Sequence, residues 1–506
     1  MPKSLIILFF FLIPLQAISQ VLPKEGSKLN YRLIGFAFPS APHALNYIIE
    51  IAEGYYNNQD SFKANVIRSF GGTENKIVGE APFWGSQYTW RTVYNFNNKI
   101  TKTSSLYHFG TQTDDRVDTN KLRLKILQPT LEYKDYFVSV DAGEVLYNMS
   151  GNPVWFKPDS NGINGGVADM QFTPQGTITF LFKNAYEINY NGDILWKAPN
   201  NGAVSGDTTL GEFYHHEFTR LSNGHYMVLG MQFLSCKSVS LKDSSFIIVS
   251  GKRNVPGYSL GRFGTIIEYD EKGNVVWSWK SSKYLLGSDF DYFESGIDSL
   301  KRFDPHDNAF YFDEKNKVIY LCFRNLNRIT KIEYPSGRVL CHYGENYKPG
   351  ITGIGSGLFC NPHGVRRSRD GYLYFFNNNS CEIKDSLPSV VMLQEPVLLN
   401  ESLKKIWEYT CTIDTADYPK GYKKIFGSGG NAIELPDRSI FVNMGTQYSK
   451  LFIVNRDKKV LWSALPERFM EPDEKWTIVH EYKANIISRE DIERLIWNTE
   501  ASKHSQ

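Results

Sequence analysis

The sequence has no excess of either charge and few cysteines. Its 56 basic and 54 acidic residues leave a net charge of +2, whereas a nucleic-acid-binding protein carries a strong basic excess and a polybasic membrane patch needs clustered Lys and Arg. Six cysteines in 506 residues are too few for a disulfide scaffold. We therefore expect no nucleic-acid partner and no cysteine-rich fold.

The sequence also lacks the short motif of one large enzyme class. It has no Gly-x-x-x-x-Gly-Lys phosphate loop, and the Gly-rich stretch 427–430 precedes a strand pattern rather than a helix. This absence weighs against a nucleotide donor.

Long apolar runs are absent except near the N-terminus. Lys3 precedes an apolar run from Leu5 to Leu15, and small residues follow at Ala17 and Ser19. The run is too short to span a bilayer and predicts a secretory signal peptide over residues 1–19; a buried strand is the alternative. No cysteine stands directly after the run, which argues against a lipoprotein anchor. We expect a periplasmic or secreted protein with no membrane anchor.

The cysteines permit a disulfide without requiring one. Cys360 and Cys381 flank a single hairpin-like segment, and no two cysteines form a Cys-x-x-Cys pair. An exported protein can keep a disulfide, so these two are the first candidates for a bridge. Buried free thiols are an equally open reading.

Aromatic residues, glycine and one repeated pattern are abundant. There are 30 Tyr, 33 Phe and 40 Gly, a composition suited to strands and tight turns. Two alternating apolar segments around a turn recur six times, and such a pattern is typical of β-hairpins. The copies lie at residues 136–147, 186–196, 266–277, 330–340, 391–407 and 451–462.

The repeat predicts an all-β fold with a six-bladed β-propeller over residues 131–490. A four-stranded blade takes about 40 to 50 residues plus loops. Two packed β-sandwiches are the alternative, although a sandwich does not need the same hairpin six times. Residues 20–130 lack the repeat and predict a small N-terminal β domain.

The end of the chain predicts two further elements. Residues 476–482 alternate like a strand, which we expect to close the propeller ring. Residues 488–497 predict a helix capped by Ser488. Residues 491–506 are assigned as a C-terminal tail.

A second recurring feature places polar residues in front of the hairpins. His216 stands eight residues before Gly224, and His363 stands eight before Gly371, with a strand pattern after each glycine. The innermost strands of a propeller line its axis, so such positions should form a ring at one mouth. The members of this pattern are Ala168, His216, His306, His363 and Asn431.

Three of the chain's 10 histidines fall on this ring. A single such histidine would be a hydrogen-bonded core residue, but three that converge predict a site. They could bind a metal such as zinc, or they could act as nucleophile and acid–base groups. Arg324 follows His306 in the same predicted blade and favours an oxyanion over a metal, unless it forms a surface ion pair.

At these residues the sequence resembles the bacterial arylsulfotransferase family. The resemblance covers roughly residues 131–465, and its most specific feature is the spacing of His306 and Arg324. The matching segments are 215–226, 304–309 with 322–324, and 361–364 with 370–377. The resemblance implies a six-bladed propeller behind a small β domain, exported to the periplasm.

The resemblance also implies a ping-pong reaction and a role for each residue. A phenolic sulfate ester gives its sulfuryl group to a histidine, here His363, and a phenolic acceptor then takes it. Acid–base and sulfate-binding roles fall on His216 and His306, and Arg324 clamps the sulfate. Asn431 and His215 are further candidates for substrate binding. We expect no metal and no cofactor.

Two other functions stay open from the sequence. A non-catalytic secreted propeller could bind a glycan or a protein through its central funnel. A metal-dependent hydrolase or lyase is a third reading, which metal analysis of the purified protein would test.

Overall fold

The computed structural model of the protein describes residues 21–97, 100–159, 166–241, 244–249, 253–294, 302–381, 386–397, 401–419, 422 and 428–502. The chain divides into two compact units, Met1–Gln112 and Thr113–Gln506. The predicted signal peptide lies outside the described residues and stays a prediction. Among the described residues, no helix is both long and apolar enough to cross a membrane.

The first unit is β-rich, with one short helix. Its elements are β1 (Ser27–Leu29), β2 (Leu33–Ala37), β3 (Asn46–Glu53), α1 (Gln59–Ala64), β4 (Val66–Gly72), β5 (Lys76–Glu80), β6 (Gln87–Asn95), β7 (Thr101–Thr103) and β8 (Tyr107–Thr111). The larger sheet has the order β1-β8-β6-β3-β4, with β7 beside β6, and β2 pairs with β5. Trp90 is fully buried and packs edge-on against Phe36, with ring centroids 5.0 Å apart.

In its described residues, the second unit contains six successive sheets, each with four main antiparallel strands. The first comprises β10 (Tyr136–Val140), β11 (Val145–Asn148), β12 (Pro153–Phe156) and β36 (Ala484–Ser488); the second β13 (Ala168–Phe172), β14 (Ile178–Leu181), β15 (Ala185–Ile188) and β16 (Ile194–Lys197); the third β17 (Phe213–Arg220), β18 (Tyr226–Leu241), β20 (Ser259–Tyr269) and β21 (Val275–Lys280). The fourth comprises β23 (Asp307–Asp313), β24 (Val318–Phe323), β25 (Arg328–Glu333) and β26 (Val339–Gly344); the fifth β27 (Pro362–Arg367), β28 (Leu373–Asn377), β29 (Ser389–Gln394) and β30 (Lys404–Thr410); the sixth β31 (Asn431–Glu434), β32 (Ile440–Asn443), β33 (Leu451–Val454) and β34 (Val460–Met470).

The remaining strands extend two of these sheets. In the third sheet, β19 (Ser244–Val249) pairs with β18 and β22 (Arg302–Phe303) pairs with β20; in the sixth, β9 (Leu122–Gln128) and β35 (Lys475–Ile478) both pair with β34. Among the described residues of this unit, the α-helices are α2 (Gly287–Glu294) and α3 (Arg489–Ser502).

The all-β prediction is confirmed, and all six predicted hairpins are antiparallel strand pairs in the structure. They are β10/β11, β15/β16, β20/β21, β25/β26, β29/β30 and β33/β34. In the second and third copies the turn glycines Gly192 and Gly273 have φ of +88° and +84°. Few L residues tolerate this conformation, so glycine lets the chain reverse there.

The last strand of the chain completes the first sheet. β36 pairs antiparallel with β10, with Tyr136 opposite Ser488 and Val140 opposite Ala484. The expectation that residues 476–482 would close the ring is wrong, because β35 in that region pairs with β34. The long strand β34 continues past its partner β33 and offers the nearby β35 a hydrogen-bonding edge.

The innermost strands of the six sheets contact one another in a cyclic order. β36 contacts β13, followed by β17, β23, β27 and β31, and β31 in turn contacts β36. Apolar side chains fill the spaces between neighbouring sheets, as where Ile329 of β25 and Phe375 of β28 share one cluster. Each of these six strands therefore lies beside two others of the set.

The helix predicted near the end of the chain is confirmed as α3. The Ser488 hydroxyl accepts from the Asp491 N–H at 3.2 Å, and the Asp491 carboxylate accepts from the Ser488 N–H at 3.2 Å. This reciprocal pair satisfies two backbone donors at the helix start. At the other end of the unit, β9 lies before the repeat and pairs with β34.

Candidate active site

Two of the predicted histidines have left-handed backbone conformations. His216 lies at an irregularity of β17 with φ of 63°, and His306 lies directly before β23 with φ of 57°. Such values are uncommon for residues other than glycine and cluster at functional sites. The rings of the two residues lie 5.3 Å apart, centroid to centroid.

His363 completes the group from β27. Its ring centroid lies 6.2 Å from that of His216, and the residue is fully buried. The structure thus brings the three predicted histidines together.

The hydrogen bonds of His363 define its tautomer. Its Nδ1 lies 2.7 Å from the Gly430 carbonyl oxygen, which can only accept, so Nδ1 carries the proton. Burial, and then the charge of Lys483, keep the pKa of His363 well below its usual value. The ring is therefore neutral near pH 7, and Nε2 presents a lone pair to the Tyr482 hydroxyl 2.7 Å away.

His215 fixes the tautomer of His216 in the same way. His215 Nε2 donates to the Gly230 carbonyl oxygen at 3.1 Å, which leaves its Nδ1 to accept from His216 Nδ1 at 2.6 Å. Burial, followed by the charge of His306, lowers the pKa of His215 to about 4. Burial and His215 hold the pKa of His216 well below its usual value. His216 therefore also has its lone pair on Nε2.

His306 and Arg324 are joined through the backbone. The Arg324 N–H donates to the His306 carbonyl oxygen at 2.9 Å. The His306 side chain is about a third exposed, and its Nδ1 lies 3.9 Å from a carboxylate oxygen of Asp304. Burial lowers the pKa of the Arg324 guanidinium, and the charges that oppose this effect are those of Tyr482 and Asp304. The Arg324 guanidinium donates to the Asn325 side-chain oxygen at 2.9 Å, and its predicted role in binding the sulfate stays a prediction.

Tyr482 and Lys483 were missed by the sequence analysis. They directly precede β36, the strand that contacts both β13 and β31. The sequence repeat did not reveal that β36 belongs with these strands. The Tyr482 ring lies 5.2 Å from that of His363 and 5.7 Å from that of His216. Burial raises the pKa of Tyr482, so its hydroxyl stays protonated and can donate. Tyr482 was the last residue of a predicted strand, and that position was the only available signal.

Lys483 supports the backbone beneath the histidines. Its ammonium group donates to Asp169 at 2.7 Å, to Glu217 at 2.9 Å and to the His216 carbonyl oxygen at 2.6 Å. Arg366 donates to the other oxygen of Glu217 at 2.6 Å. Burial alone would raise the pKa of Glu217, but Arg366 and Lys483 hold it down at about 2. This ion network connects β13, β17 and β27 to the segment before β36.

Asn431 is buried near this region but is engaged with the backbone. Its Nδ2 donates to the Ala484 carbonyl oxygen at 2.8 Å, and its Oδ1 accepts from the Ala484 N–H at 3.2 Å. Both amide atoms thereby join β31 to β36. The structure gives Asn431 a role in the ring of strands, and its predicted role in substrate binding stays a prediction.

Cys360 and Cys381 form a disulfide, with Cα atoms 5.9 Å apart. It joins the segment before β27 to the segment after β28. His363 lies on β27, close to this disulfide in sequence. Within the described residues, no group of three or more His, Cys, Asp and Glu side chains is arranged to hold a metal ion. In the histidine cluster, His363 has both ring nitrogens hydrogen-bonded within the protein.

The arylsulfotransferase family model matches residues 110–350 of the chain and confirms the resemblance to that family. The match supports an arylsulfotransferase activity and small aryl substrates in general terms. The matched range includes His215, His216, His306 and Arg324, whereas His363 and Tyr482 lie beyond it. No curated protein matches the chain in sequence.

Several solved structures are distantly similar. A protein of unknown function from Bacteroides caccae is 14% identical, with 65% of this chain and 92% of that chain covered and a TM-score of 0.36. An auxiliary nutrient binding protein from Bacteroides ovatus is 9% identical, with 94% and 96% covered and a TM-score of 0.34. AztD from Citrobacter koseri is 8% identical, with 87% and 98% covered and a TM-score of 0.29. Likenesses this distant carry no functional argument.

Proposed function

Because residues 110–350 match the arylsulfotransferase family, we propose that the protein moves a sulfuryl group from a phenolic sulfate ester to a phenolic acceptor, without a nucleotide donor. The observation that carries the proposal is the fixed tautomer of His363. Its Nδ1 proton is held by the Gly430 carbonyl oxygen, which leaves the Nε2 lone pair as a nucleophile. Arg324 supplies a positive charge for the sulfuryl oxygens.

We propose a six-bladed propeller as the scaffold of this site. The cyclic contacts of β36, β13, β17, β23, β27 and β31 support it, as does the four-stranded form of each sheet. Each innermost strand would contribute its starting residues to one end of a central funnel. The histidine, tyrosine and arginine residues of the site come from four different sheets or the segments beside them, which a propeller explains.

In the first half reaction, Nε2 of His363 attacks the sulfur atom of the aryl sulfate. The Tyr482 hydroxyl moves off Nε2 and donates to a sulfuryl oxygen. The N–S bond forms while the bond between sulfur and the aryl oxygen breaks, and its electron pair leaves on the phenolate. The proton stays on Nδ1 of His363, which continues to donate to the Gly430 carbonyl oxygen, and this hydrogen bond stabilises the positive charge on the sulfated ring.

His306 is the group that carries the transferred proton. Its side chain is partly exposed and lies beside the Asp304 carboxylate. Burial raises the pKa of Asp304, but the contacts with His306 more than offset this effect and lower that pKa, so Asp304 stays anionic beside the His306 ring. His306 protonates the departing phenolate and later takes the proton of the acceptor phenol.

In the second half reaction, the acceptor oxygen attacks the sulfur atom and the N–S bond breaks. Its electron pair returns to Nε2 of His363. His216 binds the sulfuryl group in both steps. An anion beside its Nε2 favours the protonated ring, so His216 takes up a proton when substrate binds and donates to a sulfuryl oxygen.

The proposal is tested by trapping the sulfated enzyme. Purified protein is mixed with 4-nitrophenyl sulfate, quenched in alkali and digested, and the peptide that gains one SO₃ group is located by mass spectrometry. We expect the label on His363 and the appearance of sulfated phenol when phenol is added without nucleotide. A label on His216 would overturn the assignment of the nucleophile, and no label with no transfer would overturn the function in favour of non-catalytic binding.

A matched pair of variants sharpens this test. In His363→Asn the side-chain amide can still donate to Gly430 at the position of Nδ1, but no atom replaces Nε2. We expect loss of both label and transfer with a retained fold. His225→Asn changes a histidine that pairs with Glu268 away from the cluster, and its activity should equal that of the unaltered protein.

We propose that the protein is exported to the periplasm or secreted. The Cys360–Cys381 disulfide supports an oxidising compartment. N-terminal sequencing of protein recovered from the periplasm or medium should show cleavage close to residue 19. An intact N-terminus on cytoplasmic protein would contradict the prediction.

A further inference from the structure

A cavity of about 610 Å³ lies beside β17, outside the histidine cluster. Its walls are the loop 205–211, which precedes β17, and side chains of β17 and β18. Two of its apolar side chains are unusually exposed, with Leu210 at 59% and Phe213 at 54%. Large exposed apolar groups that line one concave surface mark a binding site.

Aromatic rings form one wall of this cavity. Phe213 and Phe233 meet edge to face, with centroids 5.9 Å apart at 84°. Met231 and Leu234 of β18 extend the apolar surface. A flat aromatic ligand can gain edge-to-face and stacking contacts from such a pair. The cavity therefore suits a ring of the size of a phenol.

The cavity also contains one cation. The Arg253 guanidinium lies 4.7 Å from the centre of the Phe233 ring, and its side chain is 37% exposed. Among the described residues that line the cavity, the other charged residue is Asp207, whose carboxylate lies 4.0 Å from Arg253. Asp207 also accepts from the N–H groups of Thr209 and Leu210 at 3.0 and 2.9 Å. Arg253 is thus loosely paired and able to meet a ligand anion.

The cavity adjoins the candidate active site through one strand. Phe213 precedes His215 by two residues on β17, and their rings lie 6.1 Å apart. His215 in turn is hydrogen-bonded to His216. The His215 ring thus separates Phe213, in the wall of the cavity, from His216, which would bind the sulfuryl group.

We propose that this cavity binds the ring of the aryl substrate, and that Arg253 selects rings that carry a second anionic group, such as a carboxylate. The inference rests on the proposed function and names its substrate class. In a ping-pong exchange the acceptor oxygen takes the place that the donor oxygen has left, since attack and departure follow one line at sulfur. The donor and acceptor rings therefore occupy the same cavity in turn.

The experiment compares two phenols that differ by one charge, phenol and 4-hydroxybenzoate. Their binding to the purified protein is measured by ligand-observed NMR titration, and their use as acceptors by kcat/KM. We expect 4-hydroxybenzoate to bind more tightly. Phe213→Ala should weaken both ligands by about tenfold. Arg253→Gln should weaken only 4-hydroxybenzoate, by about three- to fivefold.

Two exposed residues of the same kinds serve as controls. Phe83→Ala removes an aromatic ring that is 52% exposed in the first unit, and Arg338→Gln removes a guanidinium that is 67% exposed beside Glu333. Neither should change the affinity for either phenol.

The outcomes separate this inference from the proposed function. Binding effects without any sulfuryl transfer would keep the cavity and reject the transferase. Transfer that is unaffected by Phe213→Ala would reject the cavity and keep the transferase. A preference for 4-hydroxybenzoate that survives Arg253→Gln would overturn the role of Arg253.

Discussion

The Tyr482 hydroxyl lies 2.7 Å from Nε2 of His363, the atom that would carry the sulfuryl group. This contact joins the segment before the last strand to the fifth sheet. It gives the Nε2 lone pair a hydrogen-bond donor when no substrate is present, and it places a protonated hydroxyl where the sulfuryl oxygens would bind. Both consequences can be measured.

Tyr482→Phe should lower kcat/KM for sulfuryl transfer by about 100-fold, the usual cost of losing one donor to a developing anion. The ring contacts with His216 and His363 remain, so the fold should be kept. Steady-state kinetics and circular dichroism check this. If the hydroxyl only blocks Nε2, the variant will instead be faster than the unaltered enzyme.

The rate at which the aryl sulfate sulfates the enzyme should fall at acidic pH along a limb whose midpoint lies well below pH 6.5. Burial lowers the pKa of His363, and a base with a lowered pKa stays neutral, hence nucleophilic, at more acidic pH. An ordinary histidine would lose activity near pH 6.5. The single-turnover rate with 4-nitrophenyl sulfate checks this, because its leaving group needs no proton. A limb centred at pH 6.5 would contradict the buried, neutral His363.

Asp307→Asn should change how stability depends on pH. Burial raises the pKa of Asp307 to about 8, far above the value near 3.9 of an unfolded chain. Between these pH values the folded state binds more protons than the unfolded state, so this group contributes less stability as pH rises. The change is up to about 1.4 kcal/mol per pH unit.

The asparagine cannot titrate and can still accept from the Gly264 N–H, which donates to Asp307 at 2.7 Å. Its stability relative to the unaltered protein should therefore increase from pH 4 to pH 8 and then level off. Urea unfolding at a series of pH values measures it. A constant difference over this range would show that Asp307 is ionised throughout.

Lys483→Met should destabilise the second unit strongly, by about 3–5 kcal/mol, because it leaves Asp169 buried without its cation and Glu217 with Arg366 alone. Lys483 is 2% exposed. Lys475→Met is the matched control, since Lys475 is 60% exposed beside Asp473 and such pairs contribute about 1 kcal/mol or less. Thermal and urea unfolding compare the two. Equal effects of the two substitutions would rule out the buried network as a source of stability.

Much of the fold could be predicted because its signals are local. The hairpins at 186–196 and 266–277 each combine period-two alternation with a turn glycine, so a few adjacent residues specify them. Ser488 and the helix after it are a similarly local signal. The repeat also placed His216, His306 and His363 near one another, because repeated units put corresponding residues at corresponding places.

The tertiary structure decided the parts that depend on long-range pairing. β36 joins β10 from the far end of the chain, and no local pattern distinguishes it from β35 as the closing strand. That pairing brings in Tyr482 and Lys483, and with them the protonated donor and the buried cation of the site. The tautomers of His216 and His363 depend on the carbonyl oxygens of Gly230 and Gly430, and a sequence does not show which carbonyl a ring will face. The sequence by itself thus determined which strands form and which residues could carry chemistry, since neighbours within a hairpin set both. Proton positions, burial and partners were decided by contacts between sheets.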